Sequence, residues 1–182
     1  ILFCTINPMI LTIFISSIFF CRCEGIHLTC AWRCLLLMLL KMDLNNETQL
    51  KKVLKIKFDY IFHCATYGQP KKWQDNIFDT INLNTKILKL ILEHSVKFKS
   101  RILYLSSAAV YKISKLNIKK KEDSTLSIGN FFNENVYSAS KILGEKLCEF
   151  YKQKYKIPVY VARPAHTFGP GQDFNIDYRV LP

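Results

Sequence analysis

Beyond Lys41 the period of the apolar positions switches repeatedly between that of a helix and that of a strand. Asn46-Glu47-Thr48-Gln49 reads as a helix start with Gln at the third helical position, and Leu50, Val53 and Leu54 follow at helical spacing. Tyr60-Ile61-Phe62 is a short apolar run suited to a buried strand. Leu83, Ile87, Leu90 and Ile91 recur at i, i+4, i+7 and i+8, one apolar face of a helix. Ile102-Leu103-Tyr104-Leu105 predicts a second strand. Leu143, Leu147, Phe150 and Tyr151 mark the face of a second long helix, and Val159-Tyr160-Val161 a third strand. Strands alternating with helices of this length imply βαβ units and a parallel sheet covered on both faces. Ligands of such sheets bind at the carboxyl ends of the strands.

Residues 1–40 have another character. No charge occurs from Ile1 to Cys21, a stretch long enough to cross a bilayer as a helix. A signal peptide fits poorly, because no Lys or Arg precedes the apolar run and no small-x-small cleavage site follows it. The first Met is Met9, so the preferred reading of this stretch is a translated flank or a frame-disrupted beginning, ahead of membrane contact by residues 1–21. Residues 1–40 are therefore left as an unassigned apolar, Cys-rich segment, expected as isolated or loosely packed helices, and residues 41–182 as the domain. The segment holds five of the seven cysteines (Cys4, Cys21, Cys23, Cys30 and Cys34), without the paired spacing or histidines of a zinc site. No metal is expected. An odd number of cysteines with no secretory signal implies reduced thiols and a cytoplasmic location.

At 49 % hydrophobic and 22 % charged residues the chain can build a real core, which excludes a disordered or collagen-like protein. The net charge of +12 comes from 21 Lys against 5 Arg. Readers of phosphates and bases favour the bidentate guanidinium, so the Lys excess reads as compositional and no nucleic-acid partner is expected.

Tyr137-Ser-Ala-Ser-Lys141 sets a phenol and an ammonium four residues apart, on one face of a helix. A nearby cation favours phenolate and draws a phenol pKa of about 10 toward working pH. Such a Tyr can take a proton from a sugar hydroxyl while hydride leaves the same carbon. The spacing alone is weak, since about one Tyr-x3-Lys is expected by chance in this composition. Tyr67/Lys71 and Tyr111/Lys115 share it, but Pro70 spoils a helix at the first and the second begins at a strand exit. Only Tyr137/Lys141 opens a long amphipathic helix.

Four stretches recur in order in a known family. They are Leu105-Ser-Ser-Ala-Ala-Val-Tyr111, Glu122-Asp123, Tyr137 to Glu145, and Ala162-Arg163-Pro-Ala-His-Thr-Phe-Gly-Pro-Gly171. With them the chain resembles the extended short-chain dehydrogenases/reductases, the NAD-dependent nucleotide-sugar epimerases and dehydratases. Phe58 to Ala65 resembles the family's fourth strand and the H-x-A turn beside its cofactor. The resemblance implies that Ser107 hydrogen-bonds the reacting sugar oxygen, that Tyr137 is the acid/base, and that Lys141 tunes Tyr137 and grips the nicotinamide ribose. It further implies cofactor contacts at Asp43 (near adenine), His63, Ala65 and Asn82, and a substrate contact at His166, where many members have Asn. His63 reads as a satisfied strand-end histidine rather than a catalytic one, His94 as solvated, and Trp73 as packing with no stacking partner; His27 lies in the unassigned segment.

The implied fold is a partial Rossmann-like parallel sheet flanked by helices, without the first Gly-rich βαβ unit and without the C-terminal substrate domain. The G-x-x-G-x-x-G fingerprint is absent, since the only Gly before Gly68 is Gly25. Binding of NAD or NADP is accordingly expected to be impaired, because without those glycines the backbone cannot approach a pyrophosphate. Dehydratase and decarboxylase relatives carry Asp or Glu in the two positions after the active Ser, here Ala108 and Ala109. An epimerase acting at C4 of a nucleoside-diphosphate sugar therefore leads. A ketoreductase or dehydratase of the same family, or a non-catalytic fragment, stays open beside it. Relatives pair through the helices that here contain Asn82 and Tyr137, so a homodimer is expected.

Overall fold

The structure, a computed structural model, describes residues 2–4, 11–17, 36–67, 70–111, 121–124, 126 and 136–165. Six described strands form one sheet, in the order β3-β2-β1-β4-β5-β6. They are β1 (Leu2–Cys4), β2 (Leu11–Ser17), β3 (Leu36–Met42), β4 (Tyr60–His63), β5 (Arg101–Leu105) and β6 (Val159–Ala162). Strands β4, β5 and β6 are parallel, with Tyr60 opposite Arg101 and Ile102 opposite Val159. These are the three strands expected from the apolar runs, and helices connect them.

Helix α1 (Glu47–Val53) starts where its cap predicts: Asn46 Oδ1 accepts from the Gln49 N–H at 3.1 Å. Helices α2 (Pro70–Asp75) and α3 (Ile77–Asn82) follow β4, and α3 runs through a π turn at Leu83–Ile87 into α4 (Leu88–Phe98). Of the predicted face, Leu83, Ile87 and Ile91 are buried and Leu90 packs at the margin. Leu50, Phe58, Ile61, Ile102 and Val159 complete the core beneath them. Each fully buried Leu or Ile there contributes about 1.5–3 kcal/mol relative to exposure.

Helix α5 (Val136–Tyr155) forms as expected, and of its predicted face Tyr151 is buried and Leu147 packs at the core margin, while the other two positions turn outward. Leu143 and Phe150 are each 50 % exposed, and the buried positions are Ser138, Ser140, Lys141, Gly144, Glu145, Cys148 and Tyr151. The inward face meets the exit of β5 and the π turn, where space is short and backbone carbonyls need donors. Small and polar residues suit it better than Leu.

The amino-terminal segment departs from expectation as well. Where helices were expected, it contributes β1, β2 and the first residues of β3. Thr12, Ile13 and Ile15 are β-branched, which lowers helix propensity and favours a pleated strand. Strand β1 pairs parallel with β4, but β2 returns antiparallel beside it and β3 antiparallel beside β2. A parallel neighbour would need a crossover of a dozen or more residues, and only residues 5–10 separate β1 from β2. The first βαβ unit is thus absent from the described sheet.

At Gly144, α5 comes within contact of its neighbours: an added Cβ would lie 2.7 Å from Tyr104 Cζ and 2.9 Å from the Asn84 carbonyl oxygen. Tyr104 cannot swing aside, because its hydroxyl donates to Asn84 Oδ1 at 3.1 Å. Gly144→Ala is therefore expected to destabilise the protein by about 1–3 kcal/mol in urea unfolding despite Ala's higher helix propensity. Leu143→Ala, one residue along on the exposed side, should change stability by less than about 0.5 kcal/mol.

Candidate active site

The site assembles where α5 begins, against the carboxyl ends of β4 and β5. Lys141, one turn into the helix, is fully buried, and its Nζ donates to the Leu105 carbonyl at 2.6 Å. Nζ also lies 4.9 Å from the centre of the Tyr104 ring and 5.8 Å from that of Tyr137. Loss of hydration pulls the amine down to about 7, with the nearby Cys64, Cys148 and Glu145 opposing that fall.

Ser107 follows β5 in extended backbone and caps a short 3-10 turn at Ala108–Val110, its Oγ accepting from the Ala109 N–H at 3.2 Å. The Ser138 hydroxyl, next to Tyr137, donates to the Ala109 carbonyl at 3.0 Å. Two links, Lys141 to Leu105 and Ser138 to Ala109, thus hold the turn of Ser107 against the helical turn of Tyr137. Tyr137 is half-buried, and the indole of Trp73 on α2 stacks on its ring with centroids 6.0 Å apart and planes 24° apart. Trp73 therefore has the stacking partner that was not expected of it.

His63 ends β4 fully buried, its Nε2 paired with the Leu83 carbonyl of the π turn at 2.9 Å. A carbonyl only accepts, so Nε2 carries the proton and Nδ1 is left as an acceptor. Burial first, and the charge of Lys141 second, pull the imidazole down to about 4, so it is neutral at working pH. Only half of its hydrogen-bonding capacity is met, against the expectation of a satisfied histidine. His94 is buried rather than solvated, pairing with the Ile56 carbonyl at 2.8 Å because the end of α4 lies against the entry of β4.

Ala65 is buried in the turn after β4, and Asn82 is half-buried at the end of α3. Asp43 is exposed just after β3, where its Oδ1 accepts from the Asn45 N–H at 2.9 Å. His166 and His27 lie outside the described residues. Sequence reasoning passed over Asn84, whose amide donates to Thr80 O and Ser140 Oγ, both at 3.1 Å, while its oxygen accepts from Tyr104. Its signal was a polar residue inside the apolar run of a helix. It also passed over Glu145, which grips Arg163 through two bonds of 2.8 and 2.6 Å. Arg163 in turn donates to Tyr111 Oη at 3.1 Å and to the Glu122 carbonyl at 2.8 Å, tying β6 to the chain beyond Ser107. An open cavity of about 740 Å³ between α5 and β6 borders this pair rather than Ser107 or Tyr137.

The residues fit a dinucleotide at one end and not at the other. Buried His63 Nδ1 and Ser106 Oγ, with Thr66 Oγ1, have no hydrogen-bond partner among the described residues. They cluster at the carboxyl ends of β4 and β5, where a polar ring substituent would satisfy them. At the pyrophosphate end, β1 is followed by an antiparallel strand in place of a glycine turn and a helix N-terminus.

Parallel strands with a Tyr–Lys helix packed at their exits define a Rossmann-like protein of the short-chain dehydrogenase/reductase class. The model of the NAD dependent epimerase/dehydratase family matches residues 24–182, and the chain belongs to that family. It is 29 % identical over 131 residues to the bifunctional polymyxin resistance protein ArnA of Wigglesworthia glossinidia brevipalpis, covering 71 % of this chain and 19 % of that one. It is 30 % identical to the uncharacterized UDP-glucose epimerase YtcB of Bacillus subtilis, covering 68 % and 37 %. The structure of UDP-N-acetylglucosamine 4-epimerase from Methanobrevibacter ruminantium, in complex with UDP-N-acetylmuramic acid, superposes with a TM-score of 0.64 at 24 % identity, covering 76 % and 43 %. The chain spans less than half the length of each of these relatives. Among the described residues, no helix is long and apolar enough to cross a membrane.

The buried amine has a signature in stability. Lys141 releases its proton near pH 7 when folded but near 10.5 when unfolded, so the unfolded chain binds more protons in between and stability rises with pH. Above about pH 9 the buried Cys148 thiol, pushed up to about 12, acts in the opposite direction. Urea midpoints measured from pH 7 to 9 should therefore rise, on the order of 1 kcal/mol per pH unit. In Lys141→Met the rise should vanish; an unchanged slope would show that the amine stays charged in the fold.

Proposed function

We propose that this chain carries the catalytic centre of a nucleotide-sugar epimerase, acting by oxidation and re-reduction at C4 of a nucleoside-diphosphate sugar. The observation that carries the reading is the buried Lys141, one helical turn from Tyr137 and anchored to the strand end that delivers Ser107. Bound NAD supplies the hydride acceptor and, on return, the donor. Lys141, half protonated near pH 7 in the free chain, stabilises the Tyr137 phenolate when it carries its proton, and the phenolate takes the C4 hydroxyl proton and later gives it back. Ser107 holds the same sugar oxygen and steadies its changing charge. Trp73, stacked on the phenol, fixes its orientation.

Ala108 and Ala109 next to Ser107 offer no carboxylate to move a second proton, which favours epimerisation or simple ketone reduction over dehydration. The pyrophosphate end favours weak cofactor binding by the chain as it stands. Each missing charge-assisted backbone bond removes about 1.5–3 kcal/mol, and two of them would cost roughly 10²–10⁴ in affinity. A homodimer through α3 and α5 belongs to the same reading: Phe78 on α3 is 82 % exposed, beside exposed Ile77 and Ile81, and α5 exposes Leu143 and Phe150.

Isothermal titration with NAD is expected to give a dissociation constant weaker than roughly 1 mM, about 4 kcal/mol of binding. A micromolar constant would overturn the weak-cofactor reading. Any C4 epimerisation of a UDP-sugar should fall at least about 100-fold in Tyr137→Phe, which keeps the ring against Trp73 but cannot exchange the proton. Activity surviving that change would assign the acid/base elsewhere.

A further inference from the structure

Opposite the candidate active site, at the amino ends of the strands, one sequence pattern occurs three times. Lys55-Ile56-Lys57 precedes β4, Lys97-Phe98-Lys99 precedes β5 and Lys154-Tyr155-Lys156 precedes β6. The three strands are adjacent in the sheet, so their entries lie side by side within about 10 Å. Arg101 joins them at the start of β5. Residues 55–60, 97–101 and 154–158 thus hold seven cations and one carboxylate, Asp59. All seven cations are exposed, and none is in an ion pair among the described residues.

Lysines in the last turn complement a helix C-terminus, and that accounts for part of this charge. It does not account for Lys99 and Lys156, which end α4 and α5 with φ of 58° and 54°. Gly adopts that conformation freely, whereas a Lys side chain there is strained. Two neighbouring strained positions on one face both keep a cation. Two of the three apolar members of the pattern are exposed, Ile56 at 47 % and Tyr155 at 37 %, as is Tyr60 at 41 % beside Arg101, while Phe98 is half-buried against His94. Side-chain hydrogen bonds tie the loops beneath together. His94 and Ser100 pin the Ile56 and Phe58 carbonyls at 2.8 and 2.5 Å, and the Ser95 hydroxyl donates to the Ser100 carbonyl.

We infer that this face docks on an anionic lipid bilayer. Six of the seven cations are Lys, point charges suited to a diffuse anionic surface. Rings that would have to be free to stack bases are covered by the protein's own cations: Phe98 by Lys97 at 4.9 Å, Tyr60 by Arg101 at 5.4 Å and Tyr155 by Lys154 at 5.4 Å. Ile56 has no role on a polyanion and a direct one at the boundary of headgroups and acyl chains. Docking there leaves the carboxyl ends of the strands facing away from the bilayer.

The test is co-sedimentation of the full chain with vesicles of phosphatidylcholine alone or with about 30 % phosphatidylserine, which makes the surface strongly negative. Binding is expected only with phosphatidylserine and should weaken as salt rises. The triple variant Lys57→Gln/Lys97→Gln/Lys154→Gln, which spares both left-handed positions, should bind roughly 100-fold more weakly at an unchanged circular dichroism spectrum. Ile56→Ser should weaken vesicle binding several-fold and leave retention on heparin unchanged. Equal binding to both vesicle types would place the membrane contact elsewhere, for instance in the uncharged residues 1–21, and overturn the proposal. So would an Ile56→Ser variant that binds vesicles as the parent does, or tighter binding to single-stranded RNA than to vesicles at equal salt.

Discussion

The hydrogen bond from Lys141 to the Leu105 carbonyl is the contact around which the site is arranged. It fixes the first turns of α5 at the exit of β5, and so sets where a phenol on the helix stands relative to a hydroxyl on the strand end. Burying an ammonium is costly, and the fold meets that cost with a strand-end carbonyl, two aromatic faces and a lowered proton affinity. Replacing it with a well-packed apolar chain would remove the cost and the chemistry together. That expense is the physical argument for the functional role proposed for Lys141.

Around Lys141 the interior is unusually polar for a sheet–helix interface. Asn84 joins Thr80, Ser140 and Tyr104, and through Tyr104 it faces the close approach at Gly144. Such a network specifies one arrangement of three elements, because any slip leaves buried amide and hydroxyl groups unpaired. His63 and Ser106, which keep unmet hydrogen-bonding capacity at the strand ends, stand out against that background of satisfied groups.

The elements that depend on local pattern were legible in the sequence: the Asn46 cap, the three parallel strands and both long helices. The placing of Tyr137 and Lys141 on one helix face was legible from their spacing, whereas Ser107 at a strand exit followed from the family resemblance. What could not be read came from tertiary context. The buried face of α5 is chosen by the strand exit it covers, so Leu143 and Phe150 point outward and Lys141 inward. The uncharged start of the chain carried a helical reading on length alone, yet Leu2–Cys4 pair along the edge that β4 offers and the β-branched residues of β2 pair beyond them. The Trp73–Tyr137 stack joins residues 64 positions apart, with no local pattern to announce it.

The π turn at Leu83–Ile87 has a consequence for how this family member can change length. A π turn accommodates one residue more than the α-helix around it while keeping the flanking faces aligned. Removing a residue there would leave Leu88, Ile91 and Leu92 against the sheet, at the expense of the carbonyl that holds His63. Removing one from α4 instead would turn every later position by about 100°, lifting that apolar stripe off the core. The helix thus has a joint at which a deletion is tolerated by the core, and it lies directly beside the candidate site.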